Sequence, residues 1–143
     1  MVDLDKIRTL LTLDEAERLY PYVDTTGNVT IGIGHNLTAD GIPTSVSRLL
    51  FAGDLANAQV VLQACLPMWQ TWDEVRQAVV LDLAFNLSHR LFGFPRFLGH
   101  MKDGAFDPAA DELELSAWYH EVGQRGPRLV TMLRTGSWPT ALQ

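Results

Sequence analysis

Three residues near the start of the chain have types and spacing that suit bond hydrolysis. Glu15 is followed after eight residues by Asp24, and Asp24 after five by Thr30. Two carboxylates on rigid elements, with a hydroxyl between them and a cleft, supply a general acid, a general base and a holder for water. "LDKIRTLLTLDEAERL" is a helical pattern, with apolar residues Leu4, Ile7, Leu10 and Leu11 at helical spacing, and Glu15 is placed toward the C-terminal end of that helix, before the chain turns into the sheet. The partial negative charge at a helix C-terminus favours the protonated form of a carboxyl, which suits Glu15 to the acid's part. Asp24 opens the turn "DTTGN", closer to water, and suits the base's part. Each residue also has a plain structural reading. Glu15 follows Thr12 by three, as in a capping box; Asp24 is a common turn residue and Thr30 a β-branched strand residue.

These residues need elements to position them. "RLYPYV" and "NVTIGIG" flank the turn as a hairpin, with Pro21 confining the first to an edge strand. Strict alternation through Gly34 sets Val29, Ile31 and Ile33 on an apolar face and Thr30, Gly32 and Gly34 on a nearly bare one. A bare face is a suitable wall for a flat, polar ligand such as a sugar ring. Downstream the pattern is helical: a helix from Pro43 to Cys65, a segment "TWDEVRQAVVLDLAFNL" opened by a capping box from Thr71 to Glu74, and shorter helices behind Pro95, Pro108 and Pro127. One small sheet followed by helices predicts an α+β, mostly helical domain.

The totals narrow the function. A chain of 143 residues, 47% hydrophobic and 20% charged, is that of one globular domain able to bury a core. Cys65 is the single cysteine, so no intrachain disulfide forms. The opening "MVDLDKIRTLL" lacks the apolar core of a secretory signal, and no run is long enough to span a membrane. His35, His89, His100 and His120 show no metal-ligand spacing, so neither metal nor cofactor is expected. A net charge of −6 argues against nucleic acid as partner. The charges fall in blocks: Arg90, Arg96 and Lys102 without an acid, six acids from Asp103 to Glu121, then Arg125, Arg128 and Arg134 without one. Solvated helix faces and a local positive rim for an anionic polymer both fit that pattern.

The stretch "DEAERLYPYVDTTGNVTIGIGH" closely resembles the N-terminal signature of the phage-type (T4-like) lysozymes, glycoside hydrolase family 24. "AVVLDLAFNL" resembles that family's central buried helix, and "WYHEVGQRGPRLVTMLRTGSW" its C-terminal block. The resemblance implies a two-lobed fold: a small lobe over roughly 13–45, a joining helix over roughly 43–65, and a helical lobe over roughly 66–143 plus the first helix. It implies a muramidase acting on peptidoglycan glycan strands at the β-1,4 bond between N-acetylmuramic acid and N-acetylglucosamine. Glu15 would protonate the leaving oxygen, Asp24 activate a water on the opposite face, and Thr30 hold that water. Phe85 matches a cleft aromatic that would flank a sugar, or else a plain core residue. Arg125 matches an arginine paired with the catalytic glutamate, Arg128 one facing Asp14, and His35 a histidine paired with Asp54. The resemblance further implies a monomeric phage or prophage endolysin, made in the host cytoplasm and released to the wall by a separate holin, with no membrane insertion of its own. A non-catalytic wall-binding or virion protein and a lytic transglycosylase are the alternatives. Two features depart from the family pattern. Only eighteen residues separate His35 from Asp54, which implies a shorter small lobe, and Thr26 stands where the T4-type pattern has an acid.

Overall fold

The computed structural model describes every residue from Met1 to Gln143. It is an α+β, mostly helical chain whose contacts divide into two compact units, Met1–Leu49 and Leu50–Gln143.

The first unit holds helix α1 (Leu4–Glu15), strands β1 (Arg18–Val23), β2 (Val29–Gly32) and β3 (His35–Asn36), and the short helix α2 (Leu37–Asp40). The Asp3 carboxylate caps α1 by accepting from the backbone N–H groups of Asp5 and Lys6. The sheet is antiparallel in the order β1-β2-β3, so β1 is an edge, as Pro21 requires. Tyr22 pairs with Thr30 and Arg18 with Gly32, and the register slips between them, in the stretch containing Pro21, which has no N–H to give the ladder.

The strand read through Gly34 ends earlier. β2 stops at Gly32, the chain turns at Ile33 and Gly34, and β3 returns beside it, pairing His35 with Ile31. Gly32 and Gly34 both sit at φ +67°, a left-handed conformation in which a side chain is strained. The predicted faces also change. Thr30, assigned to the open wall, is 3% exposed, while Val29, assigned to the packed face, is 40% exposed.

The hydrophobic core belongs to the second unit. Helix α3 (Thr44–Cys65) contributes Ala58, Val61 and Leu62, and α4 (Glu74–Leu87) contributes Val79, Val80 and Leu83. Around them lie α5 (Pro95–Lys102), α6 (Phe106–Glu114), α7 (Ala117–Glu121) and α8 (Arg125–Thr135). The N-cap of α4 is Asp73, which accepts from the Arg76 N–H at 3.0 Å. Thr71, expected to cap this helix, instead lies in a 3-10 turn and donates to the Met68 carbonyl. Arg76 then crosses to the end of α8, donating from Nε to the Leu133 carbonyl at 3.0 Å and from Nη2 to the Arg134 carbonyl at 3.1 Å. It thereby satisfies carbonyls that a helix end leaves open. The buried indole of Trp118 donates to Asn86 Oδ1 at 2.8 Å, which fixes α7 to α4.

The charge blocks turn out to be partly complementary within this unit. Arg96 meets Glu112 at 3.1 Å, and Arg134 meets Asp111 at 2.7 Å and Glu114 at 2.6 Å. Two of the basic residues read as a possible rim are therefore engaged by the acidic block.

Candidate active site

Asp24 is held by its own turn. Its backbone N–H donates to the Asn28 carbonyl at 2.9 Å, and the Gly27 N–H closes back on the Asp24 carbonyl at 3.1 Å. Its Oδ1 accepts three hydrogen bonds, from the Thr26 N–H at 2.9 Å, the Thr26 hydroxyl at 2.8 Å and the Asn28 N–H at 2.9 Å. Those bonds, the Asn28 N–H foremost, hold the carboxyl below its ordinary range. Asp24 is thus a turn residue, and the donors of its turn favour the carboxylate form.

The second oxygen is left for other work. Oδ2 faces the Thr30 hydroxyl at 3.4 Å, and that hydroxyl also lies 3.2 Å from the Asn28 carbonyl. Both distances are long for an O–H donor. A single proton serves only one acceptor at a time, so neither contact saturates the hydroxyl or Oδ2. A carboxylate oxygen and a hydroxyl arranged in this way can hold and deprotonate a water.

Glu15 is the last residue of α1. Ala16 ends the helix with its N–H on the Thr12 carbonyl and with φ 55° and ψ 155°, a conformation that costs an alanine. The Glu15 carboxyl comes against the turn after β2. A Cβ built on Gly34 would lie 2.9 Å from Glu15 Oε2 and 3.0 Å from its Cδ. The absence of a side chain at Gly34 is what lets the carboxyl occupy this place. The first unit therefore brings together Asp24 and Thr30 by direct contact, and sets Glu15 on the turn that follows the Thr30 strand.

The remaining expected residues are placed as follows. Each predicted ion pair draws one partner from each unit: Arg125 with Glu15, Arg128 with Asp14, and His35 with Asp54. Within their own units, the His35 ring nitrogen Nε2 meets the Gly41 carbonyl, and Arg125 Nε lies 2.9 Å from Asp82 Oδ1. Burial pushes the Asp82 carboxyl up, against the opposing pull of Arg125 and then Arg128. Phe85 is exposed rather than core, at 39%, and its ring lies 5.8 Å from that of Phe51.

Sequence reasoning noted Thr26 only as a departure from the family pattern and passed over Asn28, though both hold Asp24, and it passed over Asp82, which lies against Arg125. The first two were legible as an Asx turn; nothing in the pattern of α4 marks Asp82. A cavity of about 630 Å³ between α8 and the stretch from Ser137 to Thr140 is lined by no carboxylate and so holds no acid–base pair.

An α+β, mostly helical fold with one small antiparallel sheet is that of a lysozyme-like protein. Residues 13–134 match the phage lysozyme family model, and the chain belongs to that family, the T4-type lysozymes, which are peptidoglycan hydrolases of the muramidase kind. It is 25% identical to the probable T4-type lysozyme 1 of Dictyostelium discoideum over 94% of this chain and 96% of that one. It is also 24% identical to the probable T4-type lysozyme 2 of the same organism, with the same coverage. A third similarity, 27% identity over 90% of this chain, is to the pre-baseplate central spike protein Gp5 of Enterobacteria phage T4, of which it spans 27%.

Proposed function

We propose that this lysozyme cleaves the β-1,4 bond between N-acetylmuramic acid and N-acetylglucosamine with inversion at the anomeric carbon. Glu15 protonates the leaving oxygen. Asp24 Oδ2 takes a proton from a water on the opposite face of the ring, and the Thr30 hydroxyl holds that water. The observation carrying this reading is the unequal use of the two Asp24 oxygens. Three donors occupy Oδ1, and Oδ2 has only the long contact to Thr30. Oδ2 thus keeps lone pairs free for a water beside the Thr30 hydroxyl.

Arg125 with Glu15, Arg128 with Asp14 and His35 with Asp54 are assigned supporting, non-catalytic roles. In this reading the enzyme is a monomeric endolysin made in the host cytoplasm, reaching the wall through a hole made by a holin. No helix is long and apolar enough to cross a membrane. A second reading, a lysozyme carried on the virion, draws on the similarity to the spike protein Gp5.

The test is clearing of outer-membrane-permeabilised Gram-negative cells by wild type and Glu15→Gln at equal folded concentration. Wild type should clear them, and the variant should be slower by roughly 10²–10⁴. Product released from purified wall should appear first as the α-anomer. A folded wild type that clears nothing would leave a wall-binding protein, and anhydro ends would mean a transglycosylase.

A further inference from the structure

We propose that the side chains of Thr26 and Asn28 form a relay that positions the base: the Asn28 amide turns the Thr26 hydroxyl onto Asp24 Oδ1, and Oδ2 alone is left to face the water. The inference rests on the proposed role of Asp24 for its chemistry, and on the geometry of the turn for the relay. Asn28 Nδ2 donates to Thr26 Oγ1 at 2.8 Å, and Thr26 Oγ1 donates to Asp24 Oδ1 at 2.8 Å. The carboxylate fixes the direction of this chain. When ionised it only accepts, so the single Thr26 hydroxyl proton goes to Oδ1, and the Asn28 group facing Thr26 is its NH2. Each bond polarises the next, so a hydroxyl that receives a bond is a better donor. The half-buried Asn28 thereby takes the place of a water that would otherwise compete for the exposed threonine.

The turn does not need this relay to close. The backbone N–H groups of Thr26 and Asn28 already reach Oδ1 at 2.9 Å each, and the Gly27 N–H reaches the Asp24 carbonyl at 3.1 Å. The side chains add a third donor to an oxygen already held twice, so their effect falls on the orientation and protonation of the carboxylate. The ionisable groups on the elements packed with this hairpin are Arg18, Tyr20 and Tyr22 of β1, His35 of β3 and Asp40 of α2, with Glu15 against the turn after β2. None of these shifts Asp24; the Asn28 N–H and then the Thr26 hydroxyl do most to lower it, against partial desolvation. The T4-type pattern has an acid at position 26. A carboxylate there has no proton to give at neutral pH and brings a like charge to the turn, so it would favour the protonated form of Asp24. The relay therefore suits this chain to hydrolysis at lower pH than an acid at position 26 would allow.

The test is the pH profile of kcat/KM on purified peptidoglycan, with the Asp24 carboxyl carbon titrated by NMR in the same proteins. Thr26→Val, which keeps the shape and removes the donor, should move both the acid limb and the carboxyl titration to higher pH. The alkaline limb, which belongs to Glu15, should stay in place. On the plateau kcat should fall roughly two- to tenfold, the equivalent of one hydrogen bond, with KM nearly unchanged. Thr26→Glu should move the acid limb further in the same direction, and Thr26→Ser, which keeps the donor, should hold it at the wild-type position. If Thr26→Val does not fold, Asn28→Ala, which leaves the threonine without its amide, should give a smaller displacement of the same sign. An acid limb and a titration unmoved by loss of the hydroxyl would overturn the relay, as would a serine variant that behaves like the valine one. Asp24→Asn is assayed beside them. A rate lost there with no displacement in Thr26→Val removes the relay and leaves the base; a rate kept there removes the base and the relay with it.

Discussion

At the residue scale, the two oxygens of Asp24 are used unequally: Oδ1 takes the bonds of the turn, and Oδ2 is left to the proposed role of base. Its folded pKa lies below the ordinary 3.8, so its ionised form contributes stability above the unfolded value, and that contribution is lost as pH falls through the folded one. Asp24→Asn should therefore be less stable than wild type by a constant margin above about pH 4, and the margin should narrow below it. Chemical denaturation at neutral pH and at pH 3 measures this, and an unchanged margin would mean that the turn bonds do not favour the carboxylate. The same variant should lose roughly 10²–10⁴ of the wall-hydrolysis rate, since an amide cannot take a proton from water. Gly34 gives a second, independent test. A methyl there meets the Glu15 carboxyl and forces a strained φ, so Gly34→Ala should cost roughly 1–3 kcal/mol and displace the acid. Activity should fall further than the unfolded fraction explains. A fall that tracks unfolding alone would separate Gly34 from the chemistry.

At the element scale, α1 ends under strain. Ala16 holds φ 55° between the helix carrying Glu15 and the strand after it, so Ala16→Gly should stabilise by about 1–2 kcal/mol, read as a raised denaturation midpoint. A midpoint that falls would mean that the alanine side chain makes contacts outweighing its backbone. Local signals made most of these elements legible. Helical spacing marked α1, although its pattern ran on to Leu19 past the helix end at Glu15, and Pro21 marked the edge strand. The errors came from signals that compete. Thr71 and Asp73 both suit an N-cap, and only packing of the 3-10 turn decides for Asp73. Two-residue alternation carried the strand past Gly32, because the left-handed φ of Gly32 and Gly34 leaves no mark beyond the glycines themselves. Arg76 and Asp82 were illegible for a different reason. Their partners, on α8 and at its start, lie far along the chain, and nothing in a helix's own periodicity names them.

At the scale of the whole molecule, net charge bears on how the enzyme meets its substrate. The chain carries −6, and the peptidoglycan proposed as its substrate carries carboxylates, so the long-range force between them is repulsive. A local basic rim would reverse that, but Arg96, Arg125 and Arg134 are each paired with acids in the second unit. Such exposed pairs add little to stability; their larger effect is to cancel the positive field near them. Repulsion reaches about 30 Å at 0.01 M salt and about 10 Å at 0.1 M. Hydrolysis of purified peptidoglycan should therefore speed up between those two concentrations, mainly through the second-order rate at low substrate, with turnover at saturation nearly unchanged. Glu→Gln changes at surface positions that pair with no arginine, such as Glu121, should raise the low-salt rate and flatten the salt dependence. A wild-type rate that falls steadily as salt is added would show that unpaired cations, not the net charge, govern the encounter with the wall.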